Sequence, residues 1–287
     1  MPESPHHAGD QVRDAWVAPD GTEFVTGYVY TGVPGPDDGV IYRRLSTERV
    51  FTIVHTTAGH ELGTIYGISE HDVYVGGTGV LLHYDGTAWQ ELALPPSVRH
   101  VSALAVNSGS LWLASSSPEA IFHRKLSETK WQAEEAPAWR YDRLAFAGDH
   151  LYAGGTTKIA HRFPEGRWAI EVENRGAGYG SFYVASPTDV YVSGGLTFGP
   201  HVPTMLHTNG NGEWSGIDSP DHASAFAIWG RSPNEIYLAT KEGVLRWQKS
   251  DGYARTNLRR GDHLAGSSEK VFVAYEDHSQ FLKTNNK

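Results

Sequence analysis

Residues 65–92 decide the fold. They read as Ile65-Tyr66-Gly67-Ile68, a polar turn Ser69-Glu70-His71-Asp72, the phrase Val73-Tyr74-Val75-Gly76-Gly77, a third run Val80-Leu81-Leu82-His83-Tyr84, the turn Asp85-Gly86, and a last run led by Trp89. Val, Ile, Tyr and Trp suit a pleated, half-buried surface, and Asp-Gly supplies the positive φ that a two-residue hairpin turn needs, so this is four short strands in series. The central phrase recurs at Phe24-Val25-Thr26-Gly27, Leu111-Trp112-Leu113-Ala114, Leu151-Tyr152-Ala153-Gly154-Gly155, Val190-Tyr191-Val192-Ser193-Gly194-Gly195, Ile236-Tyr237-Leu238-Ala239 and Val271-Phe272-Val273-Ala274. Successive copies start 49, 38, 40, 39, 46 and 35 residues apart. A period near 40 that carries only strand signals marks propeller blades.

The expected architecture is all-β: a single-domain, seven-bladed propeller of four-stranded antiparallel blades, over roughly 14–54, 62–93, 102–135, 143–173, 181–218, 225–257 and 263–284. Residues 1–12 read as a tail or closing strand, and Pro2 and Pro5 make them a poor donor to a ladder. The last copy ends at Phe281-Leu282-Lys283 with no fourth strand, so closure of the ring is not visible in the sequence. The stretch from Ile65 to Leu92, with Asp72-Val73-Tyr74-Val75-Gly76-Gly77 and His83-Tyr84-Asp85-Gly86-Thr87-Ala88-Trp89, resembles the repeat of bacterial β-propeller proteins, a kelch-like and tryptophan-rich assemblage. The resemblance runs over nearly the whole chain and implies a fold without a function.

Composition narrows the function. The 287 residues hold 33 Asp+Glu against 24 Lys+Arg, a net charge of −9, with the basic residues scattered, which argues against a nucleic-acid partner. With no cysteine there is no disulfide, zinc-thiolate or thiol chemistry, in keeping with a reducing compartment. No window of 18 residues is apolar throughout, and Met1-Pro2-Glu3-Ser4-Pro5 lacks the basic and apolar regions of a signal peptide. The expectation is a cytoplasmic monomer with no membrane partner. Dinucleotide, phosphate-loop, zinc-protease, EF-hand and nucleophile-elbow patterns are absent from their required contexts, and no cofactor is expected. Asp37-Asp38 is the pair best suited to a cation, but an acidic pair in a Pro/Gly loop is ordinarily only solvated.

A histidine recurs on the third strand at His83, His123, His161 and His207. Third strands lie roughly 10 Å outside the innermost ones and diverge from blade to blade, so these rings cannot share one ion. They are expected to pack between blades and bond backbone within their own turns. Trp89, Trp131, Trp168 and Trp214 are expected to pack the outer strands.

The copies differ on one face. The connections from second to third strand expand at residues 28–39 and 196–204, and the loops leading to the innermost strands carry His55, His60 and Glu61; Arg99 and His100; Arg140, Tyr141 and Asp142; Asn174, Arg175 and Tyr179; Asp221 and His222; and Arg259, Arg260, Asp262 and His263. Innermost strands from several blades meet only at the channel mouth, so the candidate ligand site there is His60, His100, Arg140, Tyr179, His222, Arg260 and His263, with Tyr28, Tyr30, Phe198 and His201 as loop contacts to a partner. A binding propeller, taking a partner protein such as a toxin or assembly component, or a ligand, is the favoured reading. A lyase or hydrolase acting on a small anionic substrate would need His60 or His100 bonded to Glu61 or to a second group. A lectin would repeat its pocket from blade to blade, and these residues do not repeat.

Overall fold

Each recurring phrase is the second strand of an antiparallel sheet. In the computed structural model, which describes residues 10–32, 37–155, 157–173, 177–197, 203–258, 260–267, 270–274 and 282–283, Asp72–Gly77 pairs with Leu62–Ser69 on one side and Leu81–Tyr84 on the other. Trp89–Glu91 then closes that blade on the outside. Among the described residues the same order makes six four-stranded sheets and a seventh of three strands, His263–Ser267, Lys270–Ala274 and Leu282–Lys283. No helix occurs among the described residues, so the chain is the all-β propeller that its period predicts.

The innermost strands form the ring: Asp10–Val17, Leu62–Ser69, His100–Asn107, Arg143–Ala147, Ala177–Ser186, Ala225–Ser232 and His263–Ser267, each against its neighbours. Residues 10–12 are therefore not a tail or closing strand. Gln11 and Val12 pair in register with Tyr28 and Gly27, and they open the first blade, which runs on to Thr57. Among the described residues the ring closes by packing: Val12, Val25, Val40, Tyr42 and Phe51 of the first blade share a core with Ala265 and Phe272 of the last. Second strands are buried on both alternations, as Val73, Tyr74 and Val75 illustrate, because adjacent blades cover both of their faces.

The third-strand histidines follow one plan, and it corrects the expectation of backbone bonding. Each lies directly across from an aromatic residue of the second strand and stacks on it: His83 on Tyr74, His123 on Trp112 and His161 on Tyr152, with ring centroids 4.3 Å apart, and His207 on Tyr191 at 4.4 Å. A side-chain carboxylate holds the ring. His83 Nε2 bonds Asp72 Oδ1 at 2.8 Å and His207 Nε2 bonds Asp189 Oδ1 at 2.5 Å, both acids standing first in their second strand. Where that position is Ser110 or His150, the outer edge of the blade supplies the acid: His123 Nε2 lies 3.1 Å from Glu134 Oε1, and His161 Nδ1 lies 2.5 Å from Glu171 Oε1. His161 Nε2 also meets His150 Nδ1 at 2.8 Å, so this buried ring is bonded on both sides. In the sixth blade Arg246 takes the histidine's place opposite Tyr237 and bonds Glu235 Oε1 at 2.7 Å.

The outer-strand aromatics link blade to blade. Trp131 Nε1 donates to the carbonyl of Ala93, Trp168 Nε1 to Glu134, Trp214 Nε1 to Glu171 and Tyr253 Oη to the carbonyl of Ile217, each reaching back to the preceding blade. Glu134 thus joins the two systems. Burial opposes its ionisation, but hydrogen bonds from His123, Arg162 and Trp168 outweigh that and hold its carboxyl at about 2.

Two outcomes follow. His83→Ala, His123→Ala or His207→Ala should lower stability in urea melts by about 1–3 kcal/mol, because each removes a hydrogen bond from a carboxylate and uncovers an aromatic face. Because Glu134 ionises below its ordinary 4.5 in the folded chain, its contribution is complete above that pH and lost as pH falls toward 2. The stability gap between the native chain and Glu134→Gln should therefore narrow across that window, and a gap constant with pH would contradict the assignment.

Candidate functional site

The loops leading to the innermost strands are pressed against the ends of the second strands. A Cβ added to Gly77 would collide with the carbonyl of Glu61, and one added to Gly155 with the carbonyl of Arg140. The second glycine of the recurring phrase is thus the residue that lets these loops sit at the ring.

The innermost strands begin around a cavity of about 360 Å³. In ring order it is lined by His263, by Arg13 and Tyr28, by Glu61, by His100 and by Arg140, Asp142 and Arg143, contributed by the seventh, first, second, third and fourth blades. Arg13 donates from Nη2 to Tyr28 Oη at 2.8 Å and lies 5.0 Å from the centre of that ring. Arg140 Nε donates to Asp142 Oδ1 at 3.0 Å, and Arg143 Nη1 donates to the carbonyl of Asp142 at 2.6 Å. Behind the lining, Asp14 accepts from the backbone N–H of Ile65 at 3.0 Å and of Ala15 at 2.9 Å, tying the first blade to the second. Burial pushes its carboxyl up, against the opposing pull of Arg143 and these N–H groups.

Burial favours the neutral form of both imidazoles of the cavity. Burial, with Arg143 and Arg13 adding to it, brings His263 down to about 3. Its Nδ1 is 4.0 Å from Asp14 Oδ1, beyond hydrogen-bond reach, and its Nε2 is buried with no hydrogen-bond partner. His100 is lowered by burial and by Arg140, against the opposite influence of Asp142 and Glu61, and its Nδ1 lies 3.1 Å from Ser116 Oγ.

Of the residues proposed from sequence, Glu61, His100, Arg140 and His263 line this cavity, and Tyr28 joins them from the end of a strand rather than from a loop. The others do not. His60 turns its Nδ1 to the carbonyl of Thr78 at 2.8 Å, on the opposite side of the chain from Glu61. Tyr179, only 8% exposed, packs with Tyr152, Val190 and Val192, and its burial pushes its hydroxyl up to about 12. His222 is exposed beside Asp218, and Arg260 is exposed 3.9 Å from Asp262. His55 lies on an outer strand against Trp89, and Tyr141 is core. Tyr30 is 67% exposed; Phe198, His201, Asn174, Arg175 and Arg259 lie outside the described residues. Asp37 accepts from the N–H of Thr31 at 3.0 Å, and Asp38 from that of Gly59 at 2.7 Å, so this pair ties loops together rather than merely facing solvent. Arg13 and Arg143 carry no signal in the sequence, where Arg13 precedes the first blade and Arg143 is the first residue of the fourth.

No protein-family profile matches the chain, and no curated protein matches it in sequence. Solved structures match it around the whole ring, and they define its class as β-propeller. A structure of YCF48 bound to a D1 peptide superposes with a TM-score of 0.71 at 14% identity, covering 99% of this chain and 96% of that one. YCF48 from Cyanidioschyzon merolae gives 0.69 at 12%, covering 99% and 98%. The WD40 propeller domain of Doa1 gives 0.74 at 12%, covering 98% and 95%. At these identities the likeness is one of fold.

The neutral ring carries a pH prediction. An unfolded histidine takes up its proton near 6.5 and folded His263 only near 3, so this residue lowers stability as pH falls through that interval. In an NMR titration its ring signals should stay those of neutral imidazole throughout the range where an ordinary exposed histidine protonates; a midpoint near 6.5 would contradict the burial argument.

Proposed function

We propose that this chain is a binding propeller and that it takes a partner protein or ligand at the mouth where the innermost strands begin. One observation carries the reading: charged and imidazole side chains from five blades line a single cavity on the face that also bears the extended connection after Tyr28. Rigid strands position these groups, the arrangement that recognition sites on repeat scaffolds use. The peptide held by YCF48, a protein of similar fold, lends support to a protein partner.

Recognition is favoured over catalysis because the acid–base pair a hydrolase or lyase would use is not assembled. His60 is committed to Thr78 and His100 to Ser116, and neither is bonded to Glu61. Among the described residues no cluster of three or more His, Asp or Glu is arranged around a cation. The groups that line the cavity also differ from blade to blade among the described residues, which weighs against a lectin.

A photo-crosslinking amino acid at position 28 or 140 should trap a partner in cells that make the chain, whereas the same group at Thr87 or Pro187, in turns at the opposite ends of the strands, should not. Adducts from Thr87 or Pro187 alone would overturn the assignment of the face.

A further inference from the structure

We infer that the mouth recognises a carboxylate and an ammonium presented together, an inference that rests on the binding reading above. Some charged groups in the cavity are already matched and others are not. Arg140 is matched by Asp142, and Arg13 is engaged with Tyr28. Among the described residues Arg143 gives one bond to a backbone carbonyl and forms no ion pair, although Asp14 lies near enough to feel its charge. Among the same residues the side-chain carboxylate of Glu61 finds no hydrogen bond or ion pair, while its backbone carbonyl is taken by the N–H of Thr78. His263, lining the same cavity, keeps a buried Nε2 without a partner.

Buried and half-buried polar groups are ordinarily satisfied, so an unmatched acid and an unmatched guanidinium in one cavity, with an unpartnered imidazole nitrogen behind them, point to a ligand that satisfies the acid and the guanidinium. A simple dianion would meet Arg143 but be repelled by Glu61. A simple amine would meet Glu61 but be repelled by the three arginines. A ligand with both charges completes both sides: its carboxylate lies in the planar fork of Arg143, and its ammonium pairs with Glu61. The two residues flank the third blade, with His100 between them in the ring. The volume of about 360 Å³, equal to roughly a dozen water molecules, admits one amino acid or the facing tips of an acidic and a basic side chain. Free amino acids and peptides carrying neighbouring acidic and basic residues are thus two sources of one chemistry.

The test uses the full chain and its Glu61→Gln variant, which loses no internal bond and should melt like the native protein. The ring signals of His100 and His263 are followed by NMR during titration with each of the twenty common amino acids, with N-acetyl-Asp-Lys-amide, and with acetate and methylammonium alone. A saturable shift of both rings is expected with an amino acid or the blocked dipeptide, at an affinity about tenfold or more above that of acetate. Glu61→Gln should abolish that advantage and leave acetate binding in place. A response to free amino acids identifies a metabolite, and a response to the dipeptide alone identifies a peptide. Rings unmoved by every probe, or an advantage that survives Glu61→Gln, would overturn the inference. A crosslinked partner at positions 28 and 140 alongside unmoved rings would leave the binding reading standing and remove only this one.

Discussion

A carboxylate that holds an imidazole flat against an aromatic ring ties together the second and third strands of four consecutive blades, and the rest of the structure is arranged around that bond. Its strength comes from what its loss would leave behind. Where the acceptor is buried, as at Glu134 and Glu171, taking away its donor costs about 1–3 kcal/mol. It also fixes register: slipping either strand by one residue would send the histidine to the other face of the sheet and leave the acid unpaired. Glu134 and Glu171 carry the constraint outward, since each accepts both from a histidine of its own blade and from the tryptophan of the next.

With the outer blades locked in this way, residues at or near the starts of five inner strands face a common cavity. The glycines at the ends of the second strands allow the leading loops to close on that space, and half-buried Asp14 fastens the first blade to the second beneath it. The stacked histidines of four blades thus find their acids within the fold. At the mouth Glu61, Arg143 and His263 bring unmatched capacity together in one cavity.

The architecture was legible because a period near 40 and hairpin turns are properties of local sequence. The structural role assigned to the third-strand histidines was also legible from geometry. Their partners were not, since the acid comes from the start of the second strand at Asp72 and Asp189 but from the outer edge at Glu134 and Glu171, and no fixed spacing announces the exchange. At the mouth, reasoning that inner strands converge led to Glu61, His100, Arg140 and His263, which do meet. It failed where direction mattered. Adjacent residues point to opposite sides of an extended chain, so Glu61 faces the cavity and His60 does not, and Tyr179 turns between blades. Arg13 and Arg143 passed unnoticed because a charged residue at the edge of a strand looks like any solvated terminus until the ring brings several together.

The account stands or falls on whether histidine and carboxylate act as one unit. A double-mutant cycle on Asp72 and His83, whose side chains meet at 2.8 Å, measures this directly. The predicted result is a coupling of about 1 kcal/mol or more between Asp72→Ala and His83→Ala in equilibrium unfolding, the double variant being less destabilised than the sum of the two single ones. Effects that add to within about 0.3–0.5 kcal/mol would show that the two residues contribute separately, and would contradict the claim that the stack organises the blade.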